Sequence, residues 1–453
     1  MDQEFILENI KRLESEENLT QQEKNAFELL RNVCNHFNPP VIVRAVGGWV
    51  RDKILGMESD DLDVSVENAS GPQFALKMQE LTKAKVQTNP SQSEHLESAK
   101  ICLFGDFWID VCQLRCDEYS EDSRIPNIRI GTPAEDSLRR DVTINSLFYN
   151  INERKVEDFQ TGIQDITQQI IRTTYDPRLS FSDDPLRILR SFRFASRFSF
   201  DVDPEIITAA QSVKEDFSRK LTKPRIELEL AKALKGPNPF QYVRYLIQSQ
   251  LFYEIFDSNN EWNLNEEDFL SRASLVEPLL CGDFHYPITL ATVYCPIYRN
   301  ENVSDPINRR KKIPPLECAL LRNLHVSTEV YHVANSILLG SFTFPQITQL
   351  DRLTCGRWIR ATGKLWKFSR LLIFEEGISN FFDNEFVPFV ESENLCNVYE
   401  IKPLLNGKDL AKVHNVKPGP QLAQLINELI DWQILNPSGT VDDYIQFVHN
   451  NKL

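Results

Sequence analysis

The chain has 453 residues, 42% of them hydrophobic, enough for two or three domains with sizeable cores. Its net charge of −15 argues against a uniformly basic nucleic-acid coat, but a phosphate backbone responds to local clusters of Lys and Arg, so the placement of the bases matters more than their total. No apolar run reaches the about 18 residues of a membrane span, and the amino end, MDQEFILENIKRLESEEN, mixes acids with bases where an import peptide is basic and acid-poor. Neither a membrane span nor a cleaved leader is expected.

Residues 1–38 read as helical, with Leu29, Leu30, Val33 and Phe37 at helical spacing. VIVRAVGG then reads as a strand ending in a glycine turn, DDLDVSVE after Gly56 as a second short strand, and ICLFGDFWIDVCQLR as one or two more. Residues 40–152 therefore read as an α/β domain. Within it, CDEYSEDSRIPNIRIGTPAEDSLRRD is polar, carries Pro and Gly and lacks a period, which predicts a long surface loop, a feature that tends to be functional. From Asp184 the pattern turns helical: DDPLRILRSFRFASRF has acidic caps, Pro185 in the first turn and an apolar stripe of Leu186, Leu189 and Phe192. Residues 201–450 repeat amphipathic runs such as IELELAKALKG and QLAQLINELIDW between Pro-bearing breaks. Residues 255–315 resist assignment. The nine cysteines are odd in number and scattered, which predicts reduced thiols in an intracellular setting. The cytoplasm is the expected compartment, with nucleus and mitochondria as alternatives. Cys112 and Cys116 lie close together without a second ligand pair and read as packing residues rather than a zinc site.

Side chains at i and i+2 of a strand share a face, so Asp61 and Asp63 can grip the same cations. Mg²⁺ prefers such oxygen ligands and completes its shell with water and phosphate oxygens. Two ions roughly 3.5–4 Å apart clamp the attacking and leaving oxygens of an in-line phosphoryl displacement. Asp110, in FWIDV, is a candidate third carboxylate, and Gly47-Gly48 lets backbone N–H groups approach a triphosphate where a Cβ would intrude. Each part alone is common in turns and strands. Their combination with Arg139-Arg140-Asp141-Val142-Thr143-Ile144-Asn145 and Asp184-Pro185-Leu186-Arg187 points to nucleotidyl transfer. On a helix, Asp184 and Arg187 at i and i+3 would set an acceptor beside donors. That edge fits cytosine and adenine, each with an exocyclic amine beside a ring acceptor, and opposes the carbonyls of uracil and guanine. Arg187, Arg190, Arg193 and Arg197 form a basic stripe, and Arg309, Arg310, Lys311, Lys312, Lys402, Lys408, Lys412 and Lys417 concentrate charge farther on as candidate contacts to an RNA backbone.

Taken in order, GGWVRD with DLD, RRDVTIN, DFQTGIQD, DDPLR and RIELELAKALKG resemble the motifs of the class II tRNA nucleotidyltransferases, the CCA-adding enzymes of the polymerase β-like superfamily. The segment from Pro403 to Pro437 is similar to that family's tRNA-contacting tail, and the loop element SRIPNIRIGTPAEDSLRRD looks like fungal members. One departure is Asp183, where many bacterial members have Glu. The resemblance implies an α+β fold: a polymerase β-like head with a small mixed sheet and helices, followed by an all-helical neck, body and tail. The expected divisions are a helical segment at 1–38, head at 39–175, neck at 176–240, body at 241–400 and tail at 401–453. It also implies two Mg²⁺ ions held by Asp61 and Asp63, with Asp110 as a third catalytic carboxylate. Gly47, Gly48, Arg51, Arg139, Arg140, Asp141, Asn145, Asp184, Arg187 and Arg190 are expected around the nucleotide. The implied partners are tRNA, CTP and ATP, and the oligomeric state is left open. Alternatives sharing these motifs are enzymes adding only CC or only the final A, a bacterial-type poly(A) polymerase and a catalytically silent tRNA-binding protein. A fused HD phosphohydrolase is set aside because none of the seven histidines precedes an Asp.

Overall fold

The structure is a computed structural model that describes residues 2–59, 61–88, 98–120, 123–256, 266–280, 282–298, 302–308, 310–417 and 419–450. The chain divides into two compact units, Met1–Ser258 and Asn259–Leu453.

The first unit opens with α1 (Gln3–Glu14) and α2 (Gln21–Cys34), as the helical spacing predicts; a Thr20/Glu23 capping box starts the second. Then come β1 (Ile42–Val46), α3 (Gly48–Ile54), β2 (Leu62–Glu67), α4 (Gly71–Thr82), β3 (Lys85–Thr88), β4 (Ser98–Leu103) and β5 (Phe107–Gln113). A hairpin of β6 (Arg115–Ser120) and β7 (Ser123–Ile130) leads into α5 (Pro133–Leu138), and β8 (Phe148–Asn150) and β9 (Lys155–Glu157) complete the sheet. Seven strands pair in the order β3-β4-β5-β2-β1-β8-β9. Within this sheet only β2 and β5 run parallel, so the head is α+β, as the resemblance implies, and not the α/β alternation read from the residues alone. One face is apolar, through Leu62, Val64, Val66, Ile109 and Val111, and α4 covers it at β4 and β5. Phe74 and Met78 of α4 are fully buried, each contributing about 1.5–3 kcal/mol. The opposite face presents Asp63, Lys100, Trp108 and Asp110 to solvent.

The segment expected to be a long loop is instead the β6–β7 hairpin followed by α5. This ribbon is a separate two-stranded sheet. Its sequence lacks the regular apolar–polar alternation that betrays a half-buried strand.

Helices follow: α6 (Gly162–Gln168), α7 (Pro177–Asp183), α8 (Leu186–Phe198), α9 (Pro204–Ser212), α10 (Lys214–Lys220) and α11 (Lys223–Leu234), with β10 (Ile170–Ile171) pairing in parallel with β11 (Asp201–Val202). The predicted stripe of α8 is realised, with Leu186, Leu189 and Phe192 all buried. In the second unit the described residues are mainly helical, including stretches 266–276 and 285–294 of the segment that resisted assignment. One core there gathers Phe344, Trp358, Trp366, Phe382 and Phe386. A second joins Leu410, Leu429, Trp432 and Tyr444. No described helix is long and apolar enough to cross a membrane.

Candidate active site

A cleft of about 580 Å³ lies in the first unit, within the usual range for small-molecule sites. Every nucleotide-site residue named from the sequence lines it except Asp110. Nine arginines and five aspartates line it among the described residues, so a chain of net charge −15 places a positive cleft where a polyphosphate would bind.

At one end, β2 carries the acids. Asp61 and Asp63 are exposed while Leu62 and Val64 are buried, the alternation predicted for one strand face. Asp110 lies beside Asp63 in the parallel β2–β5 register, but it sits outside the cleft lining, with its Oδ2 3.0 Å from Lys100 Nζ. Although the Asp63 side chain is in part open to solvent, desolvation of its carboxyl and the nearby Asp110 push it up, Asp61 adds to this, and Arg140 and Lys100 oppose it. Acids crowded in this way fit a divalent cation, which relieves their repulsion. Among the described residues no cage of three or more acid, His or Cys ligands exists. Cys112 makes a packing contact of the kind expected, its Sγ 3.7 Å from the Val64 carbonyl.

The glycine turn follows β1. Gly47 has φ +72°, a conformation that favours glycine, and a Cβ there would sit 2.9 Å from Arg140 Nη1 and push that guanidinium aside. Arg51 is 3% exposed and bonded to Asp52 and Asn145, with its guanidinium 4.6 Å from the Phe198 ring centroid. Burial lowers its pKa and Asp52 opposes that. Arg51 therefore braces the cleft wall as well as lining it.

The arginine motif hangs from a residue that sequence reasoning missed. Asp136 of α5 is 1% exposed and accepts from Arg139 (Nη2, 2.6 Å), Arg140 (Nη2, 3.0 Å) and the Arg115 backbone N–H (3.2 Å). Burial works to raise its carboxyl, but the two arginines hold it below the usual range. The capping box of α5, Thr132 with Glu135, starts the helix that presents it. Asp141 accepts from the Val142 backbone (2.9 Å) and Asn145 Nδ2 (3.0 Å) on Oδ1 and from Arg190 Nε (2.6 Å) on Oδ2. Burial opposes ionisation there too, and Arg190 and Asn145 outweigh it, keeping Asp141 a carboxylate well below its usual pKa. Arg190 is held charged by the same contact.

This motif is fastened to the DFQTGIQD segment. Asp165, fully buried, accepts from Thr143 Oγ1 (2.6 Å) and Thr161 Oγ1 (2.9 Å) and pairs with Arg172. Gly162 packs so tightly that a Cβ would lie 2.6 Å from the Thr143 carbonyl oxygen.

At the other end, Asp184 and Arg187 both reach the cleft, but not as a helical i, i+3 pair. Asp184 is extended (φ −139°, ψ 101°) ahead of α8, because Pro185 disfavours the helical region for the residue before it. Its Oδ2 accepts from Arg225 Nη2 at 3.0 Å. Arg187 is 6% exposed, donating Nη1 to Tyr175 Oη (2.7 Å) and Ser180 Oγ (2.9 Å) and Nη2 to the Arg139 carbonyl (2.8 Å). Tyr175 Oη in turn donates to Asp183 Oδ2 at 2.6 Å, and burial pushes its pKa up, so the hydroxyl stays protonated. Tyr175 and Arg225 were invisible to local spacing, since both act across the fold. The rest of the stripe has protein partners too: Arg193 with Glu229 (2.5 Å) and Arg197 with Asp52 (3.5 Å).

Of the basic residues farther on, Arg310, Lys311 and Lys312 are exposed, whereas Arg309 lies outside the described residues. Lys408, Lys412 and Lys417 are exposed, with Lys412 3.0 Å from Asp409.

An acid-bearing strand, a glycine turn and an arginine cluster over one cleft define a nucleotidyltransferase head. The signature of the Poly A polymerase head domain matches residues 43–172. The mitochondrial CCA tRNA nucleotidyltransferase of Saccharomyces cerevisiae is 32% identical, over 94% of this chain and 92% of that one. A tRNA nucleotidyltransferase of Schizosaccharomyces pombe is 31% identical over 96% and 99%. The chain belongs to the CCA tRNA nucleotidyltransferase family. Its fold matches the Bacillus stearothermophilus CCA-adding enzyme in complex with CTP (TM-score 0.67, 17% identity, 95% and 98% covered). It also matches the Thermotoga maritima CCA-adding enzyme complexed with tRNA (TM-score 0.65, 20% identity, 97% and 98% covered).

Proposed function

We propose that this chain adds CCA to the 3′ end of tRNA from CTP and ATP without a nucleic-acid template. The observation that carries the reading is one cleft with transfer acids at one end and the Asp184–Arg187 edge at the other. Asp61 and Asp63 hold two Mg²⁺ ions, with Asp110 beside them; such ions, when bound, stabilise the attacking and leaving oxygens. The tRNA 3′-OH gives up its proton to water, its oxygen forms a bond to the α-phosphorus, the bond to the bridging oxygen breaks, and pyrophosphate leaves. Arg139 and Arg140, aimed by Asp136, meet phosphate oxygens. Asp141 keeps an acceptor position on Oδ2 for a ribose 2′-OH, with Asn145 alongside. Asp184 accepts from the exocyclic amine of cytosine or adenine while Arg187 donates to the neighbouring ring acceptor.

Arg310, Lys311, Lys312, Lys408, Lys412 and Lys417 are assigned to the tRNA backbone, within a helical body at 241–400 and tail at 401–453 that follow the head at 39–175 and neck at 176–240. The cytoplasm is the primary compartment in this reading. Mitochondria also follow from the names of two yeast relatives, and localisation of the tagged full-length chain tests both.

The deciding experiment offers tRNAs ending at the discriminator base, at C and at CC, with CTP and ATP separately and together. Full CCA activity extends all three. Two separate tRNA nucleotidyltransferases of S. pombe align similarly with this chain, at 31% and 30% identity, and the second reading is an enzyme that adds only CC or only the final A. Extension of only the first two acceptors, or of only the third, would select that second reading.

A further inference from the structure

We propose that Trp108 and Lys100 form the platform on which the single-stranded 3′ end of the acceptor lies, with the terminal base stacked on the indole. The inference rests on the reading of the chain as an enzyme that extends tRNA. Trp108 is 40% exposed, whereas Trp49, Trp358, Trp366 and Trp432, the others among the described residues, are at most 8% exposed. It stands two residues before Asp110 on β5, so both side chains leave the open face, with Ile109 buried between them.

Register fixes its neighbours. Across the antiparallel pair Lys100 faces Asp110, and across the parallel pair Asp63 faces Asp110. Extending the parallel register one residue back sets Trp108 beside Asp61, one strand spacing or about 4.8 Å away at the backbone.

Strand order gives the direction of approach. Gly47 follows β1 and Asn145 precedes β8, on one side of β2; β5 and β4, bearing Trp108 and Lys100, lie on the other. Gly47, Asn145 and Arg140 line the cleft and Trp108 does not. In an in-line displacement the attacking oxygen enters opposite the leaving group. With the triphosphate on the Gly47 and Arg140 side, the acceptor enters over β5. Its terminal ribose then sits at Asp61 and Asp63, and the attached base falls on Trp108. Lys100 and Asp110, each about half exposed, form a pair worth little in water, so Lys100 can turn to the last RNA phosphate at small cost.

Base stacking on an aromatic side chain is worth roughly 5- to 150-fold in affinity. The test uses the full chain, tRNA lacking its end, and CTP. Trp108→Ala should raise KM for tRNA about tenfold while KM for CTP at saturating tRNA stays unchanged, and Trp108→Phe should keep most of the affinity. Lys100→Gln should lower the salt slope. An acceptor whose terminal nucleotide is abasic should cost wild type a similar factor and Trp108→Ala little more, because ring and base act as one contact. Wild-type tRNA KM in Trp108→Ala with the abasic penalty intact overturns the proposal, whether or not the variant melts at lower temperature. If wild type extends no tRNA at all, the proposed function has failed instead, so the two failures are distinguishable.

Discussion

The two ends of the cleft are built on opposite principles. At the strand end, desolvation of its carboxyl comes first in pushing Asp63 up, and Asp110 and Asp61 crowd it further. At the helix end, charges are matched to protein partners: Arg187 is fixed by Tyr175, Ser180 and the Arg139 carbonyl, Asp184 by Arg225, and Asp141 by Arg190 and Asn145. Unresolved repulsion is useful where cations must be recruited with each substrate. A base, by contrast, is distinguished by the positions of a few donors and acceptors, so that end is rigid before the ligand arrives.

The sharpest attack on this contrast is at the strand end. Asp63→Ala should reduce CMP incorporation by about 10²–10³ or more while tRNA affinity holds, as expected when charge stabilisation of the transition state is removed. Near-normal turnover would dissolve the distinction.

At the helix end, Arg187→Ala or Asp184→Ala should shrink discrimination against UTP and GTP, with about 1–3 kcal/mol at stake. The two losses should be non-additive if they read one base as a unit. Arg225→Ala, which leaves Asp184 in place but unbraced, should reproduce part of the Asp184 defect. The readout is kcat/KM for all four NTPs, and unchanged preference in all three variants would move base selection elsewhere.

Asp141→Asn should destabilise the fold by about 1.5–3 kcal/mol at neutral pH, the scale of a charged hydrogen bond. Because the folded pKa is depressed, the carboxylate's contribution is complete above its unfolded value near 3.8 and is lost as pH falls toward the folded value. Urea melts of both proteins should therefore converge in acid.

A gentler probe is Tyr175→Phe, which keeps the ring but removes the hydroxyl between Asp183 and Arg187. Discrimination should fall roughly 3- to 10-fold, with KM for tRNA unchanged. The smallest effect per residue lies away from the cleft. Neutralising Lys408, Lys412 and Lys417 together should weaken tRNA binding and lower its salt slope, by about 0.9 for each lysine that meets a duplex phosphate. An unaltered slope would make them ordinary solvated side chains.

How much of this was legible in the chain depended on the range of the cause. Asp61 and Asp63 were readable because Leu62 and Val64 mark the buried face between and behind them. Helix α8 was readable from its stripe, yet Asp184 was misplaced on a helix because Pro185 was weighed as a helix starter and not as a constraint on the residue before it. The 115–130 hairpin leaves no signal, since its sequence shows no regular alternation of apolar and polar residues. The roles of Asp136, Tyr175 and Arg225 are not legible because their partners are supplied by the fold: Arg225 opens the RIELELAKALKG motif, yet it meets Asp184, 41 residues away in sequence.

Gly162 marks a place in the first unit that tolerates no side chain. It lies on α6, outside the cleft lining, yet any side chain there must displace the Thr143 carbonyl, and Thr143 begins the turn that ends in Asn145. A Gly162→Ala chain would carry its injury silently in the cold and express it on warming, as the loosened turn lets Asn145 drift from Asp141. A position that never meets a nucleotide would thus set the highest temperature at which the cell could mature its tRNA through this enzyme.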